Sequence, residues 1–586
     1  MAKSDARFEY RAKQNREVHN LGEPFGFTCA PGQLLPCFED IATPGDTYYI
    51  NHDLEFLRTL PLTAPAMCDV KVHLESFFVP FQMIYQPFEE TLFSLRTPQS
   101  SNYDLTGFKN NSFPVGDFQD LRGSNFYGGT YKHSKYRMDA FRLSDMLGMN
   151  AYAYAFDTNY SSIFAYCPNV FPWALLAYHT IFQYYYRLDD KTQFNNNFAN
   201  WDYWYNATSA VSMGIGMHEI HQRPWEFDYF TSSYRSPIVS DANMQRVLNN
   251  GVYSSLIGGA TVPVDGLRGL SSSNSDTRAY GVNQAASYSE TVSRGASTTA
   301  MIRQMFANEK LAMITGRARK TYDAQVLAHF GVEVPHDPKH DIAFIGRDSY
   351  DIHIGEVTSL SSTSSAGLGD LAGKGWSVGK SKGHKFTAPC HGIVMTIFSV
   401  EPKKRYFGEY NRIYALTDAF DLPMPEFDRL GNMPMFRFET GERNGSGAVT
   451  DTDIVAWKER YYWNKRRHPK ATLAFMNNRP VTLGYNDKSS YMITSAPFGA
   501  YTGTNNNTAR PDLESRYYID TNCMDAMLLQ PYVGIWQNGE TGEETTENWN
   551  KTPWLAYARD PFIVSLDMKV KKVSWMSKDG EPIYNF

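Results

Sequence analysis

Two runs of period-two alternation stand near opposite ends of this chain, and they limit its fold more than any other feature. Towards the C-terminus Val564, Leu566, Met568 and Val570 alternate with Ser565, Asp567, Lys569 and Lys571. That is the period of a strand with one face buried and one in water. In DVKVHLESFFV, Val70, Val72 and Leu74 alternate with Lys71, His73 and Glu75. Asp351 to Ile354 (DIHI) repeats the pattern briefly, and HGIVMTIFSV at 391–400 is a continuous apolar run, the mark of a strand covered on both faces. If strands so far apart share one sheet, the fold has high contact order.

Two helical passages are expected between them. FPWALLAYHTIFQYYYRL begins with Pro172, tolerated in a first helical turn, and is apolar almost all round. Residues 298–330 carry Met301, Ile302, Met305 and Phe306 on one face, and Gly316 should break or bend that helix. The stretches 95–140, 189–300 and 480–550 hold no lasting period and no internal repeat. Loops of that length in a compact domain are functional insertions rather than linkers. Aromatic residues make up 15% of the 586, which favours pleated, half-buried surfaces and large contacts. The reading is mainly β, a sandwich with decorated ends.

Net charge is −6, so any contact with nucleic acid must be local. Cys29, Cys37, Cys68, Cys167, Cys390 and Cys523 are scattered without a CxxC pair, as suits a reducing cytosol. The opening MAKSDARFEYRAKQNR is polar and contains acids, unlike a secretory signal. The longest apolar stretch, VFPWALLAYHTIF, is too short for a bilayer, so no membrane insertion is expected.

Motifs that would make an enzyme fail on spacing. In GLGDLAGKGW, Gly367 stands five residues from Gly373, Gly369 only three, and Gly375 follows Lys374. A phosphate loop needs four residues and then Gly-Lys-Ser/Thr, and the dinucleotide fingerprint needs a glycine where Ala372 stands. MHEIHQRP places His218 and His221 three apart, not at zincin spacing, and reads as a polar loop with solvated histidines. Cys390 and His391 are adjacent, hence on opposite faces of a strand. Gly445-Ser446-Gly447 is a turn, not a nucleophile elbow. No catalytic residue, cofactor or metal ligand is assigned.

Two basic segments remain. The first carries Lys3, Arg7, Arg11, Lys13 and Arg16 against Asp5 and Glu9. The second, KERYYWNKRRH, places Lys458, Arg460, Lys465, Arg466 and Arg467 around Tyr461, Tyr462 and Trp463. Cations for phosphates and rings for bases are the two ingredients of sequence-tolerant single-strand binding. A solvated arm or a subunit contact is the bland alternative for each.

An ordered string of segments resembles the major capsid proteins of the Microviridae, closer to the gokushovirus-like branches. LLPCFEDIATPGDTYYIN and RTLPLTAPAMCDVKVHLESFFVP look like the first block, with a P-G-D turn and an FFVP strand. FRLSDMLG, PWALLAYHTIFQYYYR, AHFGV, IGEVTS, GHKFTAPCHGIVMTIFSVEPKKRY and LPMPEFDRLGNMP follow in the family's order. The gokushovirus opening FDRSH is replaced by FGFTCAPGQ, and the insertions at 95–140 and 189–300 follow no family pattern.

The resemblance implies an eight-stranded antiparallel jelly roll of viral capsid type, with long loop insertions and a few helices. An interior basic arm (1–30) would precede a single capsid domain (31–586). Copies would assemble as pentamers into a small T=1 icosahedral shell around a circular single-stranded DNA genome. Internal scaffolding and DNA-pilot proteins and a bacterial surface receptor are the implied partners, with assembly in the host cytoplasm and residence in the virion. Both basic segments are then expected to face the DNA. The stretch 189–300, with Trp201, Tyr203, Trp204 and Tyr205, is expected to project outward for host contact, because clustered rings stack well on sugars. A jelly-roll carbohydrate-active enzyme or a carbohydrate-binding adhesin is the competing reading. The first should show a secretory signal and the second repeats.

Overall fold

The computed structural model describes residues 16–60, 69–93, 172–188, 220–234, 337–355, 374–403, 411–416, 422–428, 431–436, 454–467 and 560–576, with shorter pieces between 143 and 148, between 307 and 333, and at 439 and 518–519. Twelve strands occur among them: β1 (Glu17–Asn20), β2 (Glu23–Cys29), β3 (Leu35–Ala42), β4 (Thr47–Thr59), β5 (Val70–Pro80), β6 (Ala343–Gly355), β7 (Lys374–Gly379), β8 (His384–Thr387), β9 (Gly392–Pro402), β10 (Asn432–Phe436), β11 (Ile454–Glu459) and β12 (Phe562–Ser574). All of them pair antiparallel.

Ten strands form one curled sheet and β10–β11 a separate ribbon. One layer of the curl runs β2, β12, β4, β8, with β1 continuing the edge beside β2 and β7 continuing the edge beside β8. The other runs β3, β9, β5, β6. Consecutive strands of the chain mostly fall in opposite layers, with β5 and β6 paired in one, which is the eight-strand jelly-roll arrangement expected from the family resemblance. The pairing of β7 with both β4 and β6 joins the layers along one side.

The alternating residues do what their period requires. Val564, Leu566, Met568 and Val570 of β12, with Tyr48, Ile50, Leu54 and Leu57 of β4, point between the layers. They meet Val70, Val72, Leu74 and Phe78 of β5 and Val394, Phe398 and Val400 of β9. The reverse face of β5 and β9 is buried as well. There Phe77, Val79, Ile393, Met395 and Ile397 pack on helices α1 (Phe81–Ile84) and α3 (Trp173–Ile181), and α2 (Phe88–Phe93) adds Phe88. Helix α3 runs on into a π turn, Phe182–Tyr186, and nearly all of it is buried. This explains the unbroken apolar run of β9. It also corrects the half-solvated reading of β5, whose His73 and Glu75 are buried on the covered face while Lys71 stays exposed.

Local chemistry sets the connections. Pro44-Gly45-Asp46 turns β3 into β4: Gly45 sits at φ +90°, and the Asp46 carboxylate accepts hydrogen bonds from the Thr43 amide and hydroxyl at 2.9 and 2.8 Å. In the second helical passage the Ala318 amide still donates to the Ile314 carbonyl at 3.2 Å, and a separate helix, α4 (Tyr322–Phe330), follows. No residue of α4 is buried, and Tyr322 and Phe330 are each 77% exposed.

Three boundaries differ from the sequence reading. Residues 17–29, placed in the basic arm, are edge strands of the sheet, because their own alternation matches that of β12. Residues 220–234, inside the expected projection, pack on the body through Trp225, Tyr229 and Phe230. Finally, GLGDLAGKGW ends as strand β7, where the Gly375 amide donates to Thr59 Oγ1 at 2.6 Å; residues 367–373 lie outside the described residues. Among the described residues no helix is long and apolar enough to cross a membrane.

Leu566→Ala, at the fully buried centre of β12, should destabilise the fold by about 2–5 kcal/mol. Ile563→Ala, on the solvent side of the same strand, should cost less than ~0.5 kcal/mol. Urea unfolding midpoints of the two variants provide the comparison.

Candidate functional site

The basic-aromatic segment 458–467 is built onto β11 and its ribbon. The chain reverses at Tyr461, the one non-glycine residue with positive φ (57°) among the described residues, and enters the short helix α5 (Tyr462–Lys465). That reversal splits the segment. Lys458, with Tyr461 and Tyr462, turns inward and is buried. Its Nζ donates to the Tyr229 carbonyl and lies 3.1 Å from the Tyr229 ring centroid, 4.9 Å from that of Tyr462 and 5.2 Å from that of Phe230. Such a cage replaces water around an ammonium with ring faces. Arg412 and the Tyr229 hydroxyl share Glu439 beside it, at 2.7 and 2.8 Å.

The outer half differs. Lys465, Arg466 and Arg467 are exposed, and Arg460 and Trp463 are half-buried. Lys465 pairs with Asp428, and Arg466 lies over the Tyr462 ring at 5.3 Å. The segment expected to act as a unit thus presents Arg460, Lys465, Arg466 and Arg467 outward, while Lys458, Tyr461 and Tyr462 belong to the interior. Arg16 stacks on Trp575 at 4.5 Å. Lys3, Arg7, Arg11 and Lys13, and Trp201, Tyr203, Trp204 and Tyr205, lie outside the described residues.

Sequence reasoning missed two polar clusters. In the first, the fully buried Glu75 accepts from Arg223 Nη1 at 2.8 Å, from Arg347 and from the Tyr186 hydroxyl. Arg223 reaches Glu401 at 3.2 Å and Ser399 at 3.0 Å, and His73 Nε2 lies 3.0 Å from Glu401. Burial alone would raise both acids. The Arg223 and Arg347 charges outweigh it at Glu75, holding that carboxyl below its ordinary value. The hydrogen bond from His73 and the Arg223 charge bring Glu401 down to about 2. A charged residue inside DVKVHLESFFV was the available signal, since a buried carboxylate requires partners.

In the second cluster, Asp348 Oδ2 meets His52 Nδ1 at 2.9 Å, His384 Nε2 at 3.0 Å and Ser381 Oγ at 2.5 Å. His52 continues to Ser76, and Ser76 to Thr396, at 2.6 and 2.8 Å. The ligand atoms of His52, Asp348 and His384 lie within 4.8 Å of one another and could hold a divalent cation. Their mutual hydrogen bonds also satisfy them without one. Burial keeps His52 neutral, below its usual range.

The rejected catalytic candidates stay apart. Cys390 donates to the Pro338 carbonyl at 3.3 Å while His391 packs on Phe88, and burial pushes the thiol up to about 11. His221 is not a solvated loop histidine. Its ring stacks on Phe182 at 3.8 Å and its Nε2 meets His179 Nδ1 at 2.8 Å, so burial and the second imidazole hold it well below the usual histidine range. His218 and residues 445–447 lie outside the described residues.

These groups set the pH dependence. A buried neutral histidine has a folded pKa below its unfolded value near ~6.5, so its contribution is complete above that pH and is lost as pH falls. Glu401, depressed to about 2, contributes fully above its unfolded value near ~4.3 and loses that contribution on the way down. Urea midpoints should be level above pH ~6.5 and fall in two stages below it. His221→Gln should reduce the first stage only. Removing the buried acid, Glu75→Gln, should cost about 3–5 kcal/mol at neutral pH, because Arg223 loses one of its two carboxylates and keeps only Glu401.

A family model described as capsid protein (F protein) matches residues 10–533, nearly the whole jelly roll and the segment 458–467. No individual curated protein matches the chain. The second cluster does set the Ser76 hydroxyl against His52 and Asp348, but all three side chains are buried in the core, and the extent of the match agrees with the strand order. The chain belongs to the phage capsid F protein family, the structural, non-enzymatic major capsid proteins of the Microviridae.

Proposed function

We propose that copies of this chain tile a small T=1 icosahedral shell, through pentamers, around a circular single-stranded DNA genome. The observation that carries this reading is the family match over residues 10–533 on a jelly-roll sheet. Self-association follows from capsid family membership, and the surface suits it. Tyr322, Leu327 and Phe330 of α4, with Tyr414, are large apolar side chains left exposed at 77%, 49%, 77% and 85%. A monomer gains nothing from such exposure, whereas permanent interfaces bury upwards of ~2,000 Å² each and anchor on aromatic residues.

Within that shell the finer assignments are ours. The order of segments favours the gokushovirus-like branch. The arm with Lys3, Arg7, Arg11, Lys13 and Arg16 faces the genome, as does the exposed half of the second basic segment, Arg460, Lys465, Arg466 and Arg467. The segment around Trp201, Tyr203, Trp204 and Tyr205 contributes to receptor contact. Internal scaffolding and DNA-pilot proteins assist assembly in the host cytoplasm. A carbohydrate-binding adhesin is the second reading, and nothing beyond the abundance of rings favours it.

Negative-stain microscopy of the purified full-length chain should show closed shells or pentamers. A stable monomer that binds or cleaves polysaccharide would overturn the reading. Arg466→Gln with Arg467→Gln should leave shells intact but lower the DNA they retain at raised salt, read as the ultraviolet absorbance ratio of purified particles.

A further inference from the structure

The layer β2–β12–β4–β8 has one face in the core and one facing solvent, and the solvent face carries an ordered rung. Asn20 of β1 stands opposite Lys571 of β12, Lys571 opposite Tyr49 of β4, and Tyr49 opposite Lys385 of β8. Tyr49 is 42% exposed, and both lysines are exposed. Cross-strand neighbours stand about 4.5–5.5 Å apart at Cβ, so the two lysine side chains spring from strand positions on either side of Tyr49. Lys385 Nζ lies 5.5 Å from its centroid.

These residues line an open hollow of about 740 Å³, shared with Asn20, Asn51 and Lys569. Lys569 is paired with Asp53 and Asp567 at 2.8 and 3.1 Å, two carboxylates against one ammonium, and Asp567 also lines the hollow. Lys385 and Lys571 have no ion-pair partner among the described residues, so the positive charge of the hollow is theirs. On a chain of net charge −6, this is a local cationic site with an aromatic centre, on rigid backbone. It complements a polyanion bearing flat apolar rings.

We propose that Lys571, Tyr49 and Lys385 form a stacking platform for single-stranded DNA. An unpaired base lies on the Tyr49 ring, and the adjoining phosphates lie against the two lysines. Sheets that present an aromatic ring between cations hold single strands in this way, without reading sequence. Asn20 and Asn51 border the base edge with amide donors and acceptors. The inference rests on the reading that the shell encloses such a genome, and it orients the protein: the solvent face of β2–β12–β4–β8 turns to the particle interior.

Fluorescence anisotropy of a labelled oligothymidylate, titrated with the full-length chain at several salt concentrations, tests the platform. Tyr49→Ala should weaken binding about 5–150-fold, the loss of one stacked base, while Tyr49→Trp should retain it. Lys385→Gln with Lys571→Gln should lower the slope of log affinity against log salt by about 1.4, or ~0.7 for each phosphate contact. All three positions are solvent-facing, so melting curves should match the parent. If the parent chain binds no oligothymidylate, the genome-enclosing reading falls and the platform with it. If the parent binds and the variants bind equally well, the platform alone is overturned. The same holds if the variants bind DNA normally but fail to form shells, which would make this face a contact between copies.

Discussion

Glu75 carries a negative charge with no access to water, and three donors from three distant stretches of chain are needed to keep it there. Arg223 comes from the loop after α3, Arg347 from β6 and Tyr186 from the π turn. A buried carboxylate without such partners costs several kcal/mol or takes up a proton. The cluster is therefore satisfied only when the helical layer, the 220–234 loop and the sheet have all docked in one register. Apolar packing tolerates small slips, but a shared carboxylate does not. Here it selects a single arrangement of the outer layer on β5 and β9.

The second polar cluster does the same between the two layers of the jelly roll. Asp348 of β6 gathers His52 of β4, His384 of β8 and Ser381, and His52 passes the chain of hydrogen bonds on to Ser76 of β5 and Thr396 of β9. Five strands from both layers thus meet at one set of polar atoms inside an otherwise apolar core. The layers are held in position by direction-dependent contacts as well as by burial.

How much of this was legible depended on whether the signal was local. Period-two alternation located β5 and β12, and an unbroken apolar run marked β9 as doubly covered. What alternation cannot tell is what lies opposite a polar residue, so His73 and Glu75 read as solvated although helices cover them. His221 was misjudged for the same reason, because its partner His179 lies in another element. The cluster 458–467 looked uniform in sequence. A single backbone reversal at Tyr461 sends Lys458 into a ring cage and leaves Arg466 and Arg467 in water. The rung Lys571–Tyr49–Lys385 could not be seen at all before the register of three strands was known.

The position of β12 between β4 and the β1–β2 edge has a consequence for biosynthesis. Its partners Tyr49 and Asn20 leave the ribosome long before Lys571 does. At about 5–20 residues per second, the wait is on the order of a minute. During it, the edges of β2 and β4 that β12 will cover stand open, and unpaired strand edges invite pairing with other chains. On a polysome crowded with nascent copies of one sequence, those edges face identical neighbours. Closure of this layer waits for β12, the last strand among the described residues to be synthesised, and until then those edges need protection from one another.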